Sequence, residues 1–123
     1  MKAIVTFNAG SSSLKFAVFG SGLDQVLAGQ VPGYGPESLQ AALVQIESKG
    51  ILLQHCGGIG HRIVHGGTRY TAPVRVDQTI QDDLESLRKL APLHLPYGLG
   101  AMAALRKLAP DVPHIACFDT AFH

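Results

Sequence analysis

Apolar and polar positions change period along this chain. Near the start they form strand-length runs. Ala3-Ile4-Val5-Thr6-Phe7 and Leu14-Lys15-Phe16-Ala17-Val18-Phe19 are rich in strand-forming residues. The polar stretch from Asn8 to Ser13 predicts a tight connection between them. Gly20-Ser21-Gly22 reads as a turn, Leu23 to Gly29 as a third strand, and Gln30 to Pro36, with its prolines and glycines, as a loop. Short turns make antiparallel neighbours the economical arrangement.

Helical spacing then takes over. Glu37 to Lys49 places Leu39, Ala42, Leu43 and Ile46 on one face, and Gly50 is a natural stop. Gly57 to Val64 reads as a buried strand, and Val74-Arg75-Val76 as a brief extended piece. Asp77 can cap a second helix whose apolar face is Ile80, Leu84 and Leu87, closed by Pro92. A third helix runs from Pro96 to about Leu108, with Leu99, Met102, Leu105 and Ala109 along one side; Gly98 and Gly100 weaken its start. His114 to Phe118 is a last buried strand. Strands first, then strands alternating with helices, predict an α/β fold with a mixed β-sheet flanked by helices. Ligands gather outside the carboxyl ends of strands in such sheets. Asn8, Arg62 and Asp119 stand at those ends, so three separate stretches can converge on one crevice.

Composition narrows the function classes. The 123 residues suffice for one domain with its own core. A net charge of +1 gives no general reason to expect nucleic acid or an acidic membrane as partner. The apolar run before Asn8 is too short for a signal peptide or a membrane span. Cys56 and Cys117, in apolar or glycine-rich surroundings, predict free thiols in a reducing, cytoplasmic setting. His55, Cys56, His61 and His65 raise zinc. On a strand, however, His61 and His65 start roughly 13 Å apart, too far for one ion.

The candidate chemistry begins at Asn8-Ala9-Gly10-Ser11-Ser12-Ser13-Leu14-Lys15. Gly10 can take backbone angles closed to other residues and lets a ligand approach the main chain. The serine hydroxyls, backbone amides and Lys15 make a plausible phosphate cradle. A Walker A loop is excluded, since no second glycine precedes Lys15 and a strand follows. Arg62 presents a planar fork suited to carboxylate or phosphate; taken alone it reads as a structural ion pair.

Four segments together resemble the acetate kinase family: Asn8 to Lys15, His61-Arg62-Ile63-Val64-His65-Gly66-Gly67, Leu90-Ala91-Pro92-Leu93-His94, and Phe118-Asp119-Thr120-Ala121-Phe122-His123. The resemblance implies the N-terminal half of an actin-like (ribonuclease H-like) ATPase fold. It implies direct, in-line transfer of the γ-phosphoryl group of ATP to acetate, giving ADP and acetyl phosphate, with Mg²⁺, or Mn²⁺ in its place, as cofactor. Propionate and butyrate kinases share these signatures. A non-catalytic domain that binds an anion or carboxylate is the alternative.

Residue by residue, the resemblance assigns Asn8, Ser11, Ser13 and Lys15 to the phosphates. It assigns Arg62 to the acceptor carboxylate, Val64 and Leu93 to a small apolar pocket, and His94 to the transferred phosphoryl group. Asp119 is catalytic and, with Asn8, a metal contact. Acetate is already ionised near neutral pH, so Asp119 need not be a base; it holds Mg²⁺, directly or through water, or fixes the attacking oxygen. Leu95 stands where the family commonly has asparagine. Family members are far longer, so residues 1–123 are expected to be an incomplete N-terminal domain without the nucleotide-binding C-terminal domain. That fragment is expected to be inactive alone and to expose apolar surface, whereas the full-length form is expected to be a homodimer.

Overall fold

The structure, a computed structural model, describes residues 2–33, 35–63, 70–88 and 96–118. The two N-terminal runs pair antiparallel as β1 (Ile4–Ala9) and β2 (Ser13–Phe19), and β2 pairs with β3 (Gln25–Pro32). Both early strands reach further into the polar stretch than expected. Asn8 and Lys15 are cross-strand partners, which leaves residues 10–12 as the turn. β3 starts later and runs further than expected. Leu23 takes a left-handed φ of 62°, and the Gly20 amide donates to the Asp24 carbonyl at 2.8 Å, so the turn ends only at Asp24. At its far end Val31 is buried opposite Leu14, which draws the proline-glycine segment into the sheet.

Helix α1 (Pro36–Glu47) follows a minimal connection in which Gly33 (φ 83°) and Gly35 (φ 104°) both lie in the left-handed region. Its buried face is Leu39, Ala42, Leu43 and Ile46, as the spacing predicts. After a 3₁₀ turn at Leu53–His55 come β4 (Gly58–Ile63), the two-residue β5 (Val74–Arg75), α2 (Gln78–Arg88), α3 (Pro96–Leu108) and β6 (His114–Phe118). The Ile80 amide donates to the Asp77 carboxylate at 2.8 Å, the expected cap. Among the described residues no helix is long and apolar enough to cross a membrane.

The sheet order is β3-β2-β1-β4-β6-β5. β1, β4 and β6 are mutually parallel; β2, β3 and β5 pair antiparallel at the two sides. Side chains alternate between the two faces of a strand. Val5, Phe7, Leu14, Phe16, Val18, Ile59, Ile63, Ala116 and Phe118 are buried on one face, under the helices. The other face carries Thr6, Asn8, Lys15, Ala17, Gly60, Arg62 and Cys117, none of them fully buried.

Two histidines tie β4, β6 and the end of α3 together. The Nε2 of His114 lies 2.8 Å from the Ala109 carbonyl, which can only accept, so that nitrogen carries the proton. The Nδ1 of His114 is then an acceptor for the His61 Nε2–H at 2.9 Å. This leaves the His61 Nδ1 as a lone pair, buried and without a partner among the described residues. Burial, with the nearby His114 and Arg106 adding to it, pushes His61 down to about 3. His114 is also lowered, again chiefly by burial.

Candidate functional site

The register sets the site. Asn8 pairs with Lys15, Phe7 pairs with His61, and Arg62 pairs with Cys117. Asn8 is one step beyond Phe7 and Arg62 one step beyond His61, so Lys15, Asn8, Arg62 and Cys117 form a row across four strands. All four belong to the face the helices leave uncovered. Adjacent strands lie 4.7–4.9 Å apart, which puts the Lys15 and Arg62 backbones about 10 Å apart with Asn8 between them. Thr6 and Gly60, two residues before Asn8 and Arg62, and Ala17, two residues after Lys15 on the antiparallel β2, form the floor. Together these residues line an open cleft of about 620 Å³.

Polarity in the sequence located Asn8, Lys15 and Arg62, and the structure brings them together. It missed Thr6, Ala17, Gly60 and Cys117, which have no chemical signature of their own. Same-face alternation from Asn8, Lys15 and Arg62 was the available signal for Thr6, Ala17 and Gly60; Cys117 had none. The floor is low because its residues are small: a Cβ on Gly60 would meet only the Thr6 Cγ2, at 3.5 Å. Burial raises the Cys117 thiol above its usual value, so it lines the cleft as a neutral group.

Ser11 and Ser12 are exposed on the β1–β2 turn and Ser13 is half-buried. The turn closes with the Gly10 amide donating to the Ser13 carbonyl at 2.9 Å. Gly10 does not use the left-handed angles open to glycine. A Cβ there would meet one atom, the Ser13 carbonyl oxygen, at 3.7 Å. What glycine leaves at this point is an uncovered main chain beside the cleft. Val64, Leu93, His94 and Asp119 lie outside the described residues. His61, one of the zinc candidates, bonds His114 in the core.

Chemically, an ammonium, a guanidinium, a carboxamide and nearby hydroxyls fit an anion with two or more oxygens. Among the described residues no group of three histidine, cysteine or acidic side chains could hold a metal ion. Asn8 fits a metal only in company with further donors such as Asp119.

Residues 35–123 match the family model described as the Acetokinase family. Across its whole length the chain is 39% identical to the acetate kinase of Rhizobium meliloti and 37% identical to that of Bacillus mycoides (strain KBAB4). It spans 39% and 38% of those proteins. The match to the Rhizobium protein extends over 155 residues against 123 here. Among solved structures, a propionate kinase from Francisella tularensis subsp. tularensis SCHU S4 is 25% identical with a TM-score of 0.80, over all of this chain and 38% of that one. The acetate kinase of Entamoeba histolytica gives the same identity and TM-score over 98% of this chain and 36% of its own. The mixed six-stranded sheet flanked by helices is that of acetate kinases of the actin-like ATPase fold.

Proposed function

The chain belongs to the acetokinase family, and from that premise we propose that it supplies the anion-binding wall of a phosphotransferase that moves the γ-phosphoryl group of ATP onto acetate. The observation that carries this reading is the Lys15–Asn8–Arg62 row along one open cleft. The acceptor needs no activation, because a carboxylate is ionised at neutral pH. Catalysis then consists of alignment and charge neutralisation. Arg62 holds the acceptor carboxylate through its two-pronged fork. Lys15, with the hydroxyls of Ser11 and Ser13, takes the phosphate oxygens. Asn8 stands between the two groups, where its carboxamide can bond the oxygens that lie in line. The low floor of Thr6, Ala17 and Gly60 lets both anions lie close to the sheet. Mg²⁺, held by Asn8 and Asp119, would supply further neutralisation of the phosphate charge. Val64, Leu93 and His94 complete the acceptor side in this reading.

The acceptor is a short carboxylate, acetate first; the similarity to a propionate kinase favours propionate as the second choice. The chain spans under two fifths of its curated relatives, so the adenosine contacts are expected outside these residues and turnover by the 123 residues alone is expected to be negligible. Acetyl phosphate formation with ATP, Mg²⁺ and acetate, trapped with hydroxylamine, tests this. Turnover clearly above an Asp119→Asn control would show that these residues suffice and would overturn the half-site reading.

A further inference from the structure

The helix side of the sheet holds a second cavity, of about 670 Å³, between α1 and α3. Both helices start at the carboxyl ends of the parallel strands. The Gly33 amide donates to the Ser12 carbonyl at 2.8 Å, and the Ser38 hydroxyl donates to the Pro32 carbonyl at 2.9 Å, which seats the first turn of α1 beside the β1–β2 turn. A Cβ on Gly98 would lie 3.2 Å from the Arg62 carbonyl oxygen, so α3 starts over the end of β4. The bond between His114 and the Ala109 carbonyl sets the far end of α3 at the start of β6. The two helices therefore run side by side in one direction, with the groove between them.

The groove is apolar. Leu14, Leu39 and Leu43 are buried and form its bottom, and Ala101, Ala104 and Leu108 form the α3 wall. Two glycines interrupt that helix, where glycine is a poor former. Gly98 has a packing reason, since its Cβ would also lie 3.1 Å from the Ile63 Cδ1. Gly100 has none among the described residues: a Cβ there would meet nothing within 4 Å. Its missing side chain keeps the groove open along α3. Lys107 is the one charged side chain among the described residues that line the groove.

We propose that this groove binds an unbranched aliphatic carboxylate of about eight carbons, with its head on Lys107 and its chain running along α3 toward Ala9 and Leu14. One cation suits one anionic head. From Gly100 to Lys107 the helix rises about 10 Å, the reach of about eight carbons. Glycine and alanine keep the α3 wall low, which suits a slender chain, and the volume is that of a small-molecule site. The methyl end then lies against Ala9 and Leu14, cross-strand partners one rung beyond Asn8 and Lys15 and on the opposite face of the sheet. The groove shares no lining residue with the anion cleft, and the proposal does not rest on the kinase reading.

Titration of the 123-residue chain with octanoate, below its micelle-forming concentration and read at the backbone amides by heteronuclear NMR, tests it. Saturable shifts are expected at residues 36–43 and 97–108. Acetate, the head without the chain, is expected to leave those residues unmoved. Hexanoate, two methylenes shorter, is expected to bind about tenfold more weakly than octanoate. 1-Octanol, the chain without the charge, is expected to bind about tenfold more weakly as well. Lys107→Gln should bring octanoate to the level of octanol and leave octanol unchanged. Gly100→Leu fills the groove; it should abolish binding of both and raise the melting temperature, since leucine is the better helix former. Absence of saturable shifts, octanol binding as tightly as octanoate, or binding retained in Gly100→Leu would overturn the proposal. Shifts at these residues that follow protein concentration without ligand would overturn it too, by assigning the groove to a second copy of the chain.

Discussion

Stability should fall as pH drops through the range where histidines ordinarily titrate, and His61 should carry a large share of the loss. In the unfolded chain its imidazole titrates near 6.5. In the fold, burial beside His114 and Arg106 holds it at about 3. Its folded pKa is depressed, so the unfolded state binds more protons between those values, and stability declines with falling pH. The contribution is fully present above about pH 6.5 and is lost progressively toward pH 3. From pH 7 to pH 5 one such group removes about 2 kcal/mol. Urea unfolding followed by circular dichroism at both pH values gives the wild-type loss. His61→Leu should lower stability at pH 7, because it leaves the His114 Nδ1 without its donor, a cost of about 1–3 kcal/mol. The same variant should also flatten the pH dependence by roughly the 2 kcal/mol assigned to His61. Equal slopes in the two proteins would refute the reasoning, because His61 would then be protonated as readily in the fold as out of it.

Other substitutions read single contacts. Gly29→Ala would place a Cβ 2.4 Å from the Phe16 Cζ, so a buried ring must move; a loss of about 1–3 kcal/mol is expected in urea unfolding. Gly60→Ala meets its nearest atom at ordinary contact distance and should leave the melting temperature nearly unchanged. Gly60→Val should melt normally but weaken phosphate binding, because the branched side chain stands on the cleft floor. Asp77→Ala removes the acceptor for the Ile80 amide and is expected to cost about 0.5–2 kcal/mol in the same unfolding assay.

The elements legible in sequence were those whose packing is decided locally. α3 and β6 fall where spacing placed them, Pro96–Leu108 and His114–Phe118, because one apolar stripe and one short apolar run meet a single core. β3 was harder: Pro32 reads as loop chemistry, and only the burial of Val31 on Leu14 draws it into the sheet. Asn8 was legible as chemistry but not as a strand residue, since a strand on an uncovered face carries polar side chains without penalty. The floor of the cleft and the His61–His114 bond depend on parallel register between strands far apart in sequence. No local pattern encodes that register. The motif that names Arg62 could therefore not name Cys117 as its neighbour.

We propose that Lys15, Asn8 and Arg62 form one anion site on the open face of the sheet. Titration of the chain with inorganic phosphate and with acetate, read at the backbone amides by heteronuclear NMR, tests it most directly. The expected result is saturable shifts that cluster at residues 6–17 and 60–62, with affinity reduced about tenfold or more by Arg62→Ala. Shifts scattered over the surface, or an affinity unchanged by Arg62→Ala, would contradict it.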